Sequence, residues 1–289
     1  MKVNNKILIV LVATLLIAFA GCSPVQSLNR ERVSTVTAGD GSVITYGVRG
    51  QGEVTVVFIH CWTCNHEFWR PQIDYFARQH RVVWLDLAGH GLSGSNRREY
   101  TMAAFGEDVA SVVNEINGDS IVLVGHSMGG PVAIEAAESL GDRVIGIVGV
   151  DTFYTPFQYP KSEAKIEAFV KPFKDDYTSA VEQLVRSMFR PEADPELVTS
   201  IFEQMSVANR EMGIDAMYEI FSWHAKGGSS ALDRYSAKLR NINAAPTETE
   251  TAVHASVTPI SGVGHFVAQV KPDEFNEVLS MIIDEYRAD

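Results

Sequence analysis

The segment IVLVGHSMGG, residues 121–130, decides the fold of this chain. Its first four residues are apolar on both faces of an extended strand, which is typical of a strand buried inside a parallel sheet. Gly125 and Gly129 then flank Ser127 in a G-x-S-x-G motif, and an alanine-rich helical pattern follows. A serine at such a sharp strand-to-helix turn is lifted clear of the sheet beside a helix N-terminus, so Ser127 is predicted to be a nucleophile. The alternative is a glycine-rich turn with a solvated serine.

Strands and helices alternate on both sides of this segment. Apolar and β-branched runs predict further strands at residues 33–36, 43–48, 54–59, 82–85, 144–150, 239–242 and 256–260. Helical periodicity predicts helices at residues 105–116, 132–140 and 275–286. Because strand and helix alternate, we expect an α/β fold with a mostly parallel sheet and right-handed crossovers.

The chain start has the pattern of a secretory signal over residues 1–21. Lys2 and Lys6 precede an apolar run of about 14 residues, shorter than the roughly 20 that span a bilayer as a helix. The stretch FAGCS at residues 19–23 resembles a bacterial lipoprotein box, which implies acylation of Cys22 and a polar tether at residues 22–31. Ser23 at the position after Cys22 then implies a bacterial cell envelope protein at the outer membrane, facing the periplasm. An ordinary cleaved signal and an uncleaved anchor are the alternatives.

Charge and cysteine content exclude several classes of protein. The net charge of −12 would repel phosphate backbones, so nucleic-acid binding is not expected. Only Cys61 and Cys64 accompany Cys22, too few for a disulfide scaffold. With His60 and His66 the pair could form a zinc site, but four ligands within seven residues are closer than structural zinc spacings. The two cysteines could instead act as a redox pair or form a disulfide, and we expect two thiols packed beneath the site.

From about residue 32 to 289 the chain resembles the α/β-hydrolase family. The motifs that carry the resemblance are VVFIHCW (56–62), VVWLDLAGHGLSG (82–94), GHSMGG (125–130) and GVGHF (262–266). The resemblance implies an α/β-hydrolase core at residues 32–151 and 236–289, flanked by helices. It also implies that residues 152–235, which are rich in aromatic residues and methionine, form a helical cap over the carboxyl edge of the sheet.

The family order of nucleophile, acid and histidine implies His265 as the base that takes the proton of Ser127. The usual position of the acid, after the seventh strand, holds no aspartate, since residues 236–264 contain none. Some members place the acid at the end of strand six, where Asp151 stands, so Asp151 is expected to orient His265. Glu248, Glu250 or no acid at all are the alternatives.

The resemblance also implies an oxyanion hole formed by the backbone N–H groups of Trp62 and Met128. Cys61 stands where the family usually has glycine, and we expect its Cβ to crowd a backbone that often needs positive φ. Asp86 is expected to stabilise a loop. His90 and His126 are expected to have a structural role and not a catalytic one. His66, His80 and His254 are expected at the surface. His224 is a candidate for substrate contact.

These residues imply a serine hydrolase of carboxylic esters, with lactones and thioesters in the same class. A cap rich in aromatic residues over the site implies a small substrate with an apolar acyl or alcohol group. No metal and no organic cofactor is required. A carbon–carbon bond hydrolase and a haloperoxidase-type enzyme on the same triad are alternatives, and so is a ligand receptor or sensor with slow turnover.

Overall fold

The computed structural model describes residues 30–246 and 253–288. The predictions for the signal at residues 1–21, for Cys22, and for Glu248 and Glu250 as acids lie outside the described residues. In the part of the chain that is described, no helix is long and apolar enough to cross a membrane.

An eight-stranded sheet forms the centre of the molecule, in the order β1-β2-β4-β3-β5-β6-β7-β8. The strands are β1 (Arg32–Thr37), β2 (Val43–Arg49), β3 (Thr55–Ile59), β4 (Arg81–Leu85), β5 (Ile121–His126), β6 (Val144–Val150), β7 (Leu239–Ala244) and β8 (Val257–Ile260). Strand β2 pairs antiparallel with β1 and β4, and the pairs from β4 to β8 are parallel. Every predicted strand is confirmed, with ends that differ by a few residues.

The burial of the strands follows their position in the sheet. Strands β3 and β5 are buried along their whole length, whereas edge strand β1 is mostly exposed. Central parallel strands are covered by helices on both faces, which explains why their sequences are apolar at consecutive positions rather than at alternate ones.

Helices cover both faces of the sheet. They are α1 (Arg70–Phe76), α2 (Met102–Glu115), α3 (Gly129–Leu140), α4 (Glu163–Asp175), α5 (Tyr177–Ser187), α6 (Pro195–Ser206), α7 (Arg210–Lys226), α8 (Gly228–Tyr235), α9 (Val267–Val270) and α10 (Pro272–Ala288). Helices α1 and α10 bury their apolar side chains against one face, and α2 and α3 against the other. Helix α2 begins before the predicted residue 105 because the Thr101 hydroxyl accepts the Ala104 N–H and caps its first turn.

Helices α4 to α8 follow β6 and precede β7, in a stretch that is described without a gap. Their apolar side chains continue the core on the α2 and α3 side of the sheet. Polar contacts join them to the core as well: Trp62 Nε1–H donates to Gly213 O over 2.7 Å, and the Tyr100 N–H donates to Asp215 over 2.7 Å. The helices are therefore fixed at the carboxyl edge of the sheet, where β3, β5 and β6 end.

Candidate active site

Ser127 lies at a tight turn between β5 and α3 with φ of 54°, in the left-handed region that a serine seldom adopts. Its N–H donates to Val150 O over 2.9 Å, and its carbonyl accepts the Gly130 N–H over 2.9 Å. A Cβ at Gly125 would lie 2.0 Å from Gly129 O, so only glycine allows strand and helix to approach this closely. The spacing of the glycines thus sets the conformation of Ser127.

His265 is held on three sides in the loop after β8. Its ring Nδ1 lies 2.7 Å from Asp151 Oδ2, and its N–H donates to Met188 O over 2.8 Å. Its carbonyl accepts a hydrogen bond of 3.0 Å from Nε2 of His126. In a neutral ring, donation from Nδ1–H to the carboxylate leaves the lone pair on Nε2.

Asp151 directly follows β6 and also has a left-handed backbone, with φ of 44°. Its Oδ1 accepts the Ala244 N–H over 2.9 Å, and its own N–H donates to Ile242 O over 3.0 Å. Strand β7 therefore orients the carboxylate so that Oδ2 faces His265. Backbone strain at a non-glycine residue is often found at functional sites, and here it occurs at both Ser127 and Asp151.

The buried ring of His126 packs against His265 and hydrogen-bonds to its backbone. Its ring centroid lies 4.8 Å from that of His265, and it is 2% exposed. Burial lowers the pKa of His126 well below its usual range, so the ring is neutral and its Nε2–H is the donor to His265 O. The expected structural role of His126 fits this contact.

Trp62 and Met128 line the same cavity as Ser127 and His265. Both are buried, and neither backbone N–H donates to an acceptor within residues 30–246 and 253–288. Buried backbone donors are almost always paired in native proteins, so two free ones at one cavity are available to a ligand atom. Met128 directly precedes the first residue of α3, where helical N–H groups favour negative charge.

Two expectations for the loop after β3 are wrong. Cys61 and Cys64 are not free thiols but form a disulfide, with Cα atoms 5.1 Å apart. The turn in which the Cys64 N–H donates to Cys61 O over 3.1 Å brings the two residues together. The left-handed residue of the loop is Thr63, with φ of 56°, so the backbone at Cys61 does not need the glycine that the family usually has.

A mostly apolar cavity of about 420 Å³ opens onto Ser127 and His265. Side chains from the segment between β6 and β7 form much of its wall, among them Phe157, Phe169, Leu184, Met205, Met217 and Phe221. The sequence predicted an apolar covering over the site, but its aromatic residues and methionines gave no indication of which ones face the cavity.

Arg190 also lines the cavity and was not identified from the sequence, since no motif includes it. Its Nε–H donates to Val263 O over 2.9 Å and its Nη2–H to Ala245 O over 2.7 Å. Together with the bond from His265 N–H to Met188 O, these contacts fasten the chain after α5 to the loop that carries the histidine.

The remaining histidines differ partly from expectation. His66 and His80 are buried rather than at the surface. His66 stacks on Trp84 with centroids 3.8 Å apart, and its backbone N–H donates to Asp86 Oδ1 over 2.8 Å. Asp86 also accepts the Leu92 N–H over 2.8 Å, so it holds loops as expected.

His224 does not line the cavity, contrary to the candidate role in substrate contact. Its ring stacks at 3.6 Å on Tyr159, which does line it. Burial lowers the pKa of His224 from 6.5 to about 4, so it is neutral near pH 7. His254 is exposed, as predicted, and stacks on Tyr154.

The order of the eight strands, with a nucleophile turn after β5 and helices inserted after β6, defines an α/β-hydrolase fold. A family model described as the alpha/beta hydrolase fold matches residues 54–191. A solved structure described as an N-acyl homoserine lactone degrading enzyme is 26% identical, with a TM-score of 0.69 over 86% of this chain and 99% of that one. An esterase from Thermogutta terrifontis is 20% identical, with a TM-score of 0.72 over 88% of this chain and 99% of that one, and this likeness concerns the fold alone.

Curated relatives match shorter stretches of the chain. The dihydrolipoyllysine-residue acetyltransferase component of an acetoin cleaving system from Cupriavidus necator is 36% identical over 37% of this chain and 29% of its own. A 2-(acetamidomethylene)succinate hydrolase from Mesorhizobium japonicum is 28% identical over 46% of this chain and 49% of its own. A non-heme haloperoxidase from Rhodococcus erythropolis is 35% identical over 33% of this chain and 35% of its own. The chain thus spans about half or less of the length of these relatives. Taken together, the comparisons support the α/β-hydrolase fold.

Proposed function

We propose that this protein is a serine hydrolase of carboxylic esters, lactones included, that works through an acyl-enzyme on Ser127. The observation that carries the proposal is the 2.7 Å contact between His265 Nδ1 and Asp151 Oδ2 at a cavity also lined by Ser127. A carboxylate that fixes the tautomer of a histidine, at a cavity that also holds a serine on a strained turn, supports activation of the serine hydroxyl.

In the proposed mechanism, Ser127 Oγ attacks the ester carbonyl while Nε2 of His265 takes its proton. Asp151 stabilises the imidazolium that forms and keeps the ring oriented. The N–H groups of Trp62 and Met128 receive the negative charge that develops on the carbonyl oxygen. His265 then protonates the leaving alcohol, and a water molecule activated by the same ring hydrolyses the acyl-enzyme.

The cavity supports an apolar substrate, because most of its wall consists of apolar and aromatic residues. Lactones are included because the enzyme that degrades N-acyl homoserine lactones matches nearly the full described chain. The sensor alternative relied on crowding of the loop by Cys61, and Thr63 takes the left-handed conformation instead. A haloperoxidase-type activity stays a second candidate because the Rhodococcus erythropolis relative includes that activity in its name.

Turnover of short p-nitrophenyl esters tests the proposal. We expect many turnovers per protein molecule, and Ser127→Ala should abolish them while leaving the unfolding temperature nearly unchanged. Ser187→Ala is the matched control, because Ser187 also lines the cavity but its hydroxyl donates to Leu184 O. Turnover that survives Ser127→Ala would refute the mechanism, and a single stoichiometric acylation would favour the sensor.

We also propose a lipid anchor on Cys22 that tethers the enzyme to the bacterial outer membrane on its periplasmic side. The support is the lipoprotein-like stretch at residues 19–23 and the polar residues that follow it. Cys22→Ser should move the protein from the membrane fraction to the soluble fraction. Continued sedimentation with membranes would favour an uncleaved anchor.

A further inference from the structure

The disulfide between Cys61 and Cys64 encloses a proposed oxyanion donor. Trp62 lies between the two cysteines and lines the cavity, and its backbone N–H has no acceptor within the described residues. Cys61 is 2% exposed and Cys64 is 1% exposed, so the bridge belongs to the wall of the site and not to the protein surface. A covalent bond across two residues restricts the backbone between them directly.

The conformation of this loop is one that its sequence alone does not favour. Thr63 has φ of 56°, although a β-branched residue rarely adopts the left-handed region. Its buried Oγ1 has no hydrogen-bond partner within the described residues, so no side-chain contact offsets this conformation. The bridge, together with the hydrogen bond of 3.1 Å from Cys64 N–H to Cys61 O, closes the turn that holds Thr63 and the preceding peptide in place.

The side chain of Trp62 is restrained from a different direction. Its Nε1–H donates to Gly213 O of α7 over 2.7 Å, and its ring packs edge-on against Phe173 of α4 at 5.5 Å. These contacts fix the indole against the inserted helices but leave the backbone N–H to be oriented by the loop. Opening the bridge therefore frees the donor without removing the packing around Trp62.

We propose that the Cys61–Cys64 disulfide is a positioning element of the oxyanion hole, and that its reduction by a small dithiol lowers catalysis. This inference rests on the proposed serine hydrolase function. In the reduction the S–S bond between Cys61 and Cys64 breaks and each sulfur gains an electron and a proton. The dithiol supplies both electrons and both protons and forms its own disulfide, so the exchange is balanced and reversible.

Access to the bridge runs through the substrate cavity. Cys61 lines that cavity, whereas both cysteines are otherwise covered by the core. A dithiol must therefore enter where the substrate enters. It follows that a covalent adduct on Ser127 slows the reduction.

The test uses the full chain with Cys22→Ser, which leaves Cys61 and Cys64 as its two cysteines. Values of kcat and KM for a p-nitrophenyl ester are measured on the oxidised protein, after reduction with dithiothreitol and removal of the reagent, and after reoxidation. Thiol titration counts the open bridges, and near-ultraviolet circular dichroism verifies the fold. Cys61→Ala with Cys64→Ala provides a form that cannot be bridged.

We expect reduction to lower kcat by about ten- to a hundredfold. Complete removal of an oxyanion donor lowers kcat by a factor of about 10²–10³, and reduction only makes the donor less well oriented. KM should change little, because the donor acts in the transition state. Reoxidation should restore kcat. The variant without the two cysteines should have the kcat of the reduced protein, and dithiothreitol should not change it. A purely structural bridge would lower the unfolding temperature but leave kcat of the folded protein unchanged.

The inference is overturned if the folded, fully reduced protein keeps kcat within about twofold of the oxidised form, a change much smaller than the loss of a donor. It is also overturned if an adduct on Ser127 leaves the reduction rate unchanged. Should the unbridged variant fail to fold, the comparison of oxidised and reduced wild-type cysteines decides the matter. A protein that lacks turnover in its oxidised form fails the proposed function itself, which is a separate result.

Discussion

Replacement of Asp151 by asparagine tests the arrangement around His265 most sharply. Both carboxylate oxygens are in use: Oδ1 accepts the Ala244 N–H over 2.9 Å and Oδ2 accepts the His265 ring N–H over 2.7 Å. Asparagine has one acceptor oxygen and one donor nitrogen in the same places. If its oxygen keeps the backbone N–H, its NH2 group faces Nδ1 of His265 and favours the tautomer with the proton on Nε2.

In that tautomer Nε2 cannot take the proton of Ser127. The same substitution of a triad aspartate costs about 10⁴ in kcat in a serine protease, which is about 5 kcal/mol of transition-state stabilisation. We therefore expect Asp151→Asn to lower kcat by roughly 10³–10⁴, at a nearly unchanged unfolding temperature.

The assay is steady-state hydrolysis of a p-nitrophenyl ester together with a thermal unfolding scan. Asp194→Asn is the matched control, because Asp194 accepts the Glu196 N–H at the start of α6, a cap that asparagine forms equally well. The control should keep full kcat. A loss below about tenfold at Asp151, against the roughly 10⁴ of a triad acid, would refute the assignment and move the acid elsewhere, with Glu248 and Glu250 the first candidates.

Three further predictions concern the surroundings of the site. Arg190→Met removes two hydrogen bonds that fasten the inserted helices to the loops beside His265. We expect kcat to fall by about tenfold, since a hydrogen bond from a charged group contributes about 1.5–3 kcal/mol; an unchanged kcat would show that the contact is not needed. Gly125→Ala places a Cβ 2.0 Å from a carbonyl oxygen and should lower the free energy of unfolding by about 3 kcal/mol or more in a denaturant titration. A Cβ at Gly39 would have nothing within 4 Å, so Gly39→Ala, the control, should change that free energy by no more than about 0.5 kcal/mol. The pKa of His224 is lowered from 6.5 to about 4 in the folded protein, so the unfolded chain binds more protons between these pH values. The free energy of unfolding should therefore fall by up to roughly 3 kcal/mol as the pH drops through this window. In urea titrations at several pH values, His224→Gln should weaken this pH dependence, and His254→Gln, at an exposed site, should leave it unchanged.

The fold could be predicted from the sequence because its signals are local. Buried parallel strands such as β3 and β5 are apolar at consecutive positions, and the glycines around Ser127 are required by the contact of strand and helix at one turn. Such features depend on neighbours in sequence. The contact of Asp151 with His265 could also be predicted, because a carboxylate at the end of an apolar strand lies at the carboxyl edge of the sheet.

Features that depend on a particular loop conformation, or on residues far apart in sequence, could not be predicted. The bridge of Cys61 and Cys64 depends on a loop conformation in which Thr63, not Cys61, is left-handed. Arg190 acts through carbonyl groups of Val263 and Ala245, which only tertiary packing brings to it.

Buried histidines show the same limit. His66 was expected at the surface, and it is buried because Asp86, 20 residues away in sequence, accepts its hydrogen bonds. A polar residue type is typical of the surface only when no buried partner satisfies it.

The central claim is that Ser127 is the nucleophile and that His265 activates it. The most direct measurement is the rate of labelling by a fluorophosphonate, with the adduct located by mass spectrometry, on the wild-type protein and on His265→Gln. We predict a single adduct on Ser127 and a labelling rate that falls at least about a thousandfold in the variant. An adduct on another residue, or equal rates in the two proteins, would contradict the account.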